Sequence, residues 1–157
     1  MSIVLARVDD RLIHGQVVVG WAPVLKANHI MIIDNQVAED PTQCLLYEMA
    51  VPLEIKSSIL TLNKAVEFFQ SNADTDNRTI ILFSRPSDVL SFVESGVTIT
   101  SLNIGGMRYE PGKTQISPSI SISDEDKTAL RTLLSKGIKI EGRAVPTDPE
   151  LDIKPFL

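Results

Sequence analysis

The sequence predicts an α/β domain in which an open, mainly parallel twisted sheet is flanked by helices on both faces. Three observations carry that prediction. Apolar, β-compatible runs of roughly four to six residues alternate with helical stretches of roughly 10 to 14, the pattern of βαβ units. The chain has 157 residues, 43% of them apolar and 22% charged, a length suited to one domain with a real core. No internal repeat and no long linker divides it, so residues 1–157 are expected to fold as a single domain.

The first strand is expected at residues 3–8 and is broken by Asp9, Asp10 and Arg11. A helix should follow from about His14 to Leu25. The second strand is Ile30–Ile33. Pro41, placed after Asp40, suits the first turn of a helix that runs to about Ala50. A short strand is expected at Leu53–Ile55. Leu62, Ala65, Val66 and Phe69 then share one helical face. Thr79–Phe83 predicts a buried strand, followed by a helix from Pro86 to near Gly96. Ser101–Ile104 predicts another strand, with two glycines after it. Residues 113–122 read as extended, and Pro118 suits an edge or hairpin better than a central strand. Ser123 with Glu125 and Asp126 marks a helix N-terminus. That helix runs to about Lys136 and is stopped by Gly137. Ile138–Ala144 is the last expected strand, and the proline-bearing tail from Val145 is expected on the surface.

The formal net charge of −5 leaves no global basic field for nucleic acid or anionic lipid. The single Cys44 cannot form an internal disulfide. No stretch of about 20 apolar residues suggests a membrane span, and residues 1–7 lack the layout of a signal peptide. These features point to a soluble cytoplasmic chain.

Ligands of open α/β sheets bind beyond the carboxyl ends of the strands. Of the seven arginines, Arg7, Arg11, Arg85, Arg108 and Arg143 fall at or just after expected strand ends. Exposed loops carry charges of every kind, but the choice of Arg over Lys there points to recognition of an oxyanion. His14 stands where the first loop meets the first helix, among N–H groups without helical partners. Such a terminus favours an anion. A His there with a free lone pair suits a nucleophile whose acquired phosphoryl group would lie among N–H donors beside Arg11. Gly15 would let backbone approach that group closely. A lone loop His is otherwise a surface or capping residue.

Asp9-Asp10 has three readings: a metal site, a carboxylate that orients His14 or braces an Arg, or a cap of the loop backbone. No helix-borne His or Cys ligands accompany the pair, so no metal is expected. Gly105-Gly106 suits either a phosphate-cradling turn or an ordinary turn. No P-loop or dinucleotide fingerprint is present, and no cofactor is expected. His29 reads as structural or exposed, Cys44 as a core or half-buried residue, and Trp21 as packing or a partner anchor.

The stretch Arg7-Val8-Asp9-Asp10-Arg11-Leu12-Ile13-His14-Gly15-Gln16-Val17 closely resembles the signature of the IIB subunits of the mannose/fructose/sorbose class of the bacterial sugar phosphotransferase system. Asp34-Asn35, Met49-Ala50-Val51-Pro52, Asn103-Ile104-Gly105-Gly106-Met107 and Val145-Pro146 resemble the same family. Residues Gly112 to Ser117 look nearer its N-acetylgalactosamine/galactosamine branch. One departure is Asn35, where many relatives carry a second Asp. The resemblance covers essentially the whole chain.

It implies a phosphotransferase of the protein-Nπ-phosphohistidine–sugar type. A IIA protein or domain would phosphorylate His14, and phospho-His14 would pass the group to a sugar held by membrane subunits IIC and IID. The chain would then work at the inner face of the cell membrane. Arg11 with Asp9 or Asp10 would support His14, and Arg7, Gly15, Ser84 and Arg85 would form the phosphate-binding rim. Neither the sugar nor a homo-oligomeric state is fixed by the sequence. A receiver-like regulatory module shares the paired Asp, but it needs an acceptor Asp at the end of the third strand, where Lys56-Ser57-Ser58 follow. A plain anion-binding domain without turnover is a second alternative.

Overall fold

The computed structural model describes residues 2–71 and 76–157. One seven-stranded sheet takes β1 (Ser2–Asp9), β2 (His29–Ile33), β3 (Lys56–Leu60), β4 (Arg78–Phe83), β5 (Ser101–Gly106), β8 (Lys139–Gly142) and β9 (Leu151–Asp152) in the order β3-β2-β4-β1-β5-β8-β9. All its pairings are parallel except β8 with β9. A separate antiparallel hairpin, β6 (Thr114–Ser117) with β7 (Ile120–Ile122), occupies the segment expected to be a hairpin or edge.

Helices cover both faces, as the sequence predicts. Ala6, Val8, Met31, Ile33, Ile81, Phe83, Leu102, Ile104 and Ile140 face one apolar cluster. Over it lie α4 (Leu62–Ser71), α5 (Pro86–Glu94) and α6 (Asp124–Ser135), through Ala65, Phe92 and Leu130 among others. Ile30, Ile32, Ile80 and Leu82 face the other cluster with Val17, Trp21, Ala22 and Val37. The central β2 and β4 are buried on both faces, which explains their nearly unbroken apolar runs.

The expected caps form. Asp40 accepts hydrogen bonds from the Thr42 and Gln43 N–H groups at the start of α3 (Pro41–Met49), and Ser123 and Asp126 form a capping box on α6. Gly137, at φ 84°, follows α6 in the left-handed conformation glycine tolerates.

Four expectations need correction. The strand expected at Leu53–Ile55 is a turn, and the third strand is Lys56–Leu60, an edge strand whose Ser57-Ser58 hides it from an apolar scan. The first helix is π-wound over Gln16–Trp21 before the short α1 (Ala22–Leu25). A helical turn α2 (Asn35–Ala38), capped by the Asp34 side chain, was not expected. Finally, the tail does not simply lie on the surface: β9 extends the sheet and Ile153 is fully buried.

His29 is structural. Its Nδ1 lies 3.0 Å from Thr79 Oγ1 and its Nε2 2.8 Å from Ser58 Oγ. Burial, aided by Lys56, lowers the titration of its ring below the ordinary imidazole range. The unfolded ring takes its proton near pH ~6.5, whereas the folded ring takes it only at lower pH. Between those limits the unfolded state binds more protons, so stability falls as pH drops. Urea midpoints should fall from about pH 7.5 to about pH 5.5, and less steeply in His29→Gln.

Candidate functional site

Alternation along the strands assembles the site. On β1, Ala6 and Val8 face the α4–α6 side, so Arg7 and Asp9 face the π-wound helix. On β5 the same alternation sends Asn103 and Gly105 to that face, and on β8 it sends Glu141 there. Arg7, Asn103 and Glu141 are in register across the three adjacent strands. A row of polar groups thus runs across these three strands, toward their carboxyl ends.

Asp9 is the hub, with its side chain fully buried. Its Oδ2 accepts from Arg7 Nη2 at 2.8 Å and from Arg11 Nη2 at 3.0 Å, and lies 3.0 Å from His14 Nε2. Its Oδ1 accepts from the Arg11 N–H at 3.1 Å and from Arg11 Nε at 3.0 Å. Burial alone would push this carboxyl up. The hydrogen bonds from His14 and Arg11, with the Arg7 charge, hold it well below the usual carboxylate range instead.

An ionised carboxylate only accepts hydrogen bonds, so His14 Nε2 must carry the proton it gives to Asp9. The lone pair of the uncharged ring then resides on Nδ1, 3.4 Å from the Gln16 N–H. The His14 side chain is 18% exposed and that of Arg11 46%. Arg11 Nη2 also donates to Gln16 Oε1 at 2.8 Å. Leu12, between Arg11 and His14, holds a left-handed φ of 57° although it is buried. Such a conformation is strained for a branched side chain, and it turns the chain abruptly into the helix.

Behind Asp9, Arg7 is completely buried. Its Nη1 donates to Asn103 Oδ1 at 2.8 Å and to the Arg143 carbonyl at 3.1 Å. Asn103 Nδ2 donates to Glu141 Oε1 at 3.0 Å, and Glu141 Oε2 accepts from Arg143 Nε at 3.0 Å. Both guanidinium groups lie over the Trp21 ring, that of Arg7 at 5.7 Å and that of Arg143 at 5.1 Å from its centroid. Its Nε1 donates to the Ala144 carbonyl. Trp21 is therefore packing inside the site and not an exposed partner anchor.

Not every expected site residue gathers at His14. Asp10 turns away: its Oδ2 accepts from the Arg108 N–H at 2.8 Å. Ser84 donates to Asp34 Oδ2, and Arg85 pairs with Asp88 at 3.5 Å. These two line a neighbouring cleft of about 700 Å³, whose other wall includes Asp10, Arg108 and Lys113. Gly15 has open space where a Cβ would project, so its backbone can be approached closely. Asp9 and Asp10 thus do not converge on a common point, and Asp9 is occupied by three nitrogen-bearing side chains. That arrangement does not fit a divalent cation. Gln16, Asn103 and Glu141 join the network without having been expected in it. For Asn103 and Glu141 the signal was the alternation itself, which places polar residues between buried apolar ones on neighbouring strands; Gln16, at the start of the π-wound helix, carries no such signal.

Substituting Arg85→Ala tests the rim. Arg85 pairs with Asp88 and makes no hydrogen bond or ion pair to Asp9, Arg11 or His14, so in Arg85→Ala the phosphoryl acceptance that the resemblance implies should stay within about twofold of the parent rate. A loss of about tenfold or more in a radiolabel transfer assay would instead return Arg85 to the site.

A parallel sheet with one polar network at its carboxyl ends defines an open α/β domain of the kind that binds its ligand beyond those ends. Within that class the chain belongs to the IIB components of sugar phosphotransferase systems. A family described as PTS system sorbose subfamily IIB component matches residues 3–157. The chain is 38% identical to the fructose-specific EIIB component of Bacillus subtilis, covering 100% of this chain and 96% of that one. It is 37% identical to part of the mannose-specific EIIAB component of Escherichia coli, covering 96% of this chain and 47% of that protein. It superposes with a TM-score of 0.94 on the crystal structure of a PTS-dependent N-acetyl-galactosamine-IIB component from Streptococcus pyogenes. That structure is 28% identical, with 100% and 98% of the two chains covered. The protein is accordingly a phosphotransferase with a role in sugar uptake.

Proposed function

We propose that His14 accepts a phosphoryl group on Nδ1 from a phosphohistidine of a IIA partner and passes it to a sugar held by the membrane subunits IIC and IID. The observation that supports this most directly is the Asp9–His14 contact. By accepting the Nε2 proton, Asp9 fixes the tautomer that leaves the lone pair on Nδ1, where its one hydrogen-bond contact is the long 3.4 Å one from the Gln16 N–H.

In the first step that lone pair attacks phosphorus, and the bond from phosphorus to the donor imidazole breaks, its electron pair returning to the donor ring. In the second, a sugar hydroxyl oxygen attacks, the bond from phosphorus to Nδ1 breaks, and the hydroxyl proton leaves to a base at the sugar site. Phosphoryl transfer needs positioning and charge stabilisation. Arg11, held by Asp9 and Gln16 yet nearly half exposed, supplies the charge. The N–H of Gln16 and the open backbone at Gly15 supply the close approach.

A IIA donor is consistent with the mannose-specific relative, whose name joins A and B components in one protein. Among the described residues no helix is long and apolar enough to cross a membrane. On this reading the chain would dock peripherally on the subunits that hold the sugar, at the inner face of the membrane. Relatives named for fructose, mannose and N-acetyl-galactosamine all match along nearly the whole chain, so overall similarity does not select the amino-sugar branch.

The test is incubation with radiolabelled phosphoenolpyruvate and the upstream phosphotransferase proteins. The label should be stable in base, labile in acid, and map to residue 14. A base-labile label would mean an acyl phosphate and would overturn the assignment, and no label at residue 14 would favour an anion-binding domain.

A further inference from the structure

Asn103 is buried 2% exposed between two carboxylate–arginine pairs, Asp9 with Arg7 and Glu141 with Arg143. Its amide has one acceptor end and one donor end, and each meets the matching charge. Oδ1 faces the Arg7 cation at 2.8 Å, and Nδ2 faces the Glu141 anion at 3.0 Å. A carboxylate at this position would face Glu141 in repulsion, and an apolar residue would leave both neighbours short of a partner.

Two residues further along the same face, Gly105 leaves the space into which the Arg7 guanidinium lies. A Cβ there would come within 1.9 Å of Arg7 Cζ. Asn103 and Gly105 thus form a cradle in which one residue holds the guanidinium and the other makes room for it. Only in that cradle does Arg7 Nη2 meet Asp9 Oδ2, the oxygen that also faces His14 Nε2.

We propose that Asn103 is a positioning residue for His14. By orienting Arg7 it sets, together with Arg11, the direction of the Asp9 carboxylate, and through Asp9 it favours the ring tautomer with the proton on Nε2 and the lone pair on Nδ1. Glu141 is the second half of the device, because with the Arg143 carbonyl, which accepts from Nδ2 at 3.2 Å, it fixes which way the Asn103 amide points. This inference rests on the reading of His14 as phosphoacceptor, but its structural content, the tautomer, can be observed without any phosphate.

The test uses the whole chain and two readouts: the ring ¹⁵N shifts of uncharged His14, and the rate of label uptake from a phosphorylated donor. In the parent protein the shifts should show Nε2–H as the dominant form. Asn103→Leu should give a mixture of tautomers and a fall in uptake of about tenfold or more, an effect of about 1.4 kcal/mol or more. Asn103→Asp restores an acceptor for Arg7 but sets a carboxylate against Glu141, and it should also be impaired. Adding Glu141→Gln gives that carboxylate a donor again, although one of its oxygens still faces the Arg143 carbonyl, so the double variant Asn103→Asp/Glu141→Gln should recover the tautomer and part of the rate. Recovery is what a loss of mere packing would not show.

A folded Asn103→Leu protein with the parent tautomer and rate overturns the proposal, and so does a double variant no better than Asn103→Asp alone. Where Asn103→Leu does not fold, the pair of Asp-based variants decides. If the parent takes no phosphate on residue 14, the phosphoacceptor reading fails while the tautomer series still tests the role of Asn103.

Discussion

His14→Ala is expected to take no phosphate at all while remaining folded. The two halves of this outcome have separate causes. Chemically, the substitution removes the only imidazole beside Asp9 and Arg11; the other histidine, His29, is buried at the start of β2 between Ser58 and Thr79. Structurally, Asp9 keeps its hydrogen bonds from Arg7 and Arg11, so its charge stays compensated. Two contacts are lost, the one to Asp9 and the long one from the Gln16 N–H, at a side chain with access to water, and the cost should stay within about 2 kcal/mol. A thermal melt near that of the parent, together with the absence of label after incubation with phosphorylated donor, checks both halves. Residual label in the variant would place the acceptor elsewhere. A variant that fails to fold would show that His14 is needed to satisfy Asp9, contrary to the geometry.

The fold was legible wherever strands were buried on both faces. His29–Ile33 and Arg78–Phe83 read as apolar runs because each face meets its own helices. It was illegible at the sheet edge. Lys56–Leu60 has one neighbour and two serines, so the apolar Leu53–Ile55 just before it drew the strand assignment, although Leu53 is fully exposed. The π winding of Gln16–Trp21 leaves no mark in six residues, too short a span to tell its period from that of an α-helix.

The candidate site divides the same way. His14, Arg11 and the idea that one Asp supports the His came from the first loop, where the chain order places them within a few residues. Which Asp it is follows from strand parity: Asp9 continues β1 and shares the face of Arg7, whereas Asp10 begins the turn and reaches Arg108. The arginines at strand ends looked equivalent in sequence, yet they have different surroundings. Arg7 is buried with its charge spent on Asp9, Arg11 is half-exposed, and Arg85 is engaged with Asp88. Position after a strand cannot reveal which face a loop then turns toward. The glycine pair was the least legible of all, because its role is set by a side chain 98 residues earlier in the chain.

That pair gives the second large effect. Gly105→Ala should destabilise the protein by about 3 kcal/mol, and it should impair phosphoryl acceptance as well. Gly105 belongs to β5, so the substitution asks nothing unusual of the backbone; the obstacle is entirely the Arg7 guanidinium. The added Cβ would lie 1.9 Å from Cζ, 2.0 Å from Nη2 and 2.4 Å from Nε. These are the rigid head of a side chain held at both Nη atoms, by Asn103 and by Asp9, so it has no slack in which to yield. Either β5 moves away from the helix above it, or Arg7 leaves Asp9. Overpacking of a core costs about 1–3 kcal/mol, and a displaced Arg7 adds the penalty of a buried charge without its partner. For a chain of this size the melting temperature should fall by about 6–12 °C. Gly106→Ala is the internal comparison. Its Cβ would meet Asp9 Oδ1 at 3.0 Å and Arg11 Nη2 at 3.1 Å. Arg11 is partly exposed and can withdraw, so the loss of stability should be smaller, while the charge beside His14 should still be disturbed. If Gly105→Ala melts no earlier than Gly106→Ala, Arg7 does not lie against β5 as described, and the cradle that links Asn103 to Asp9 cannot form.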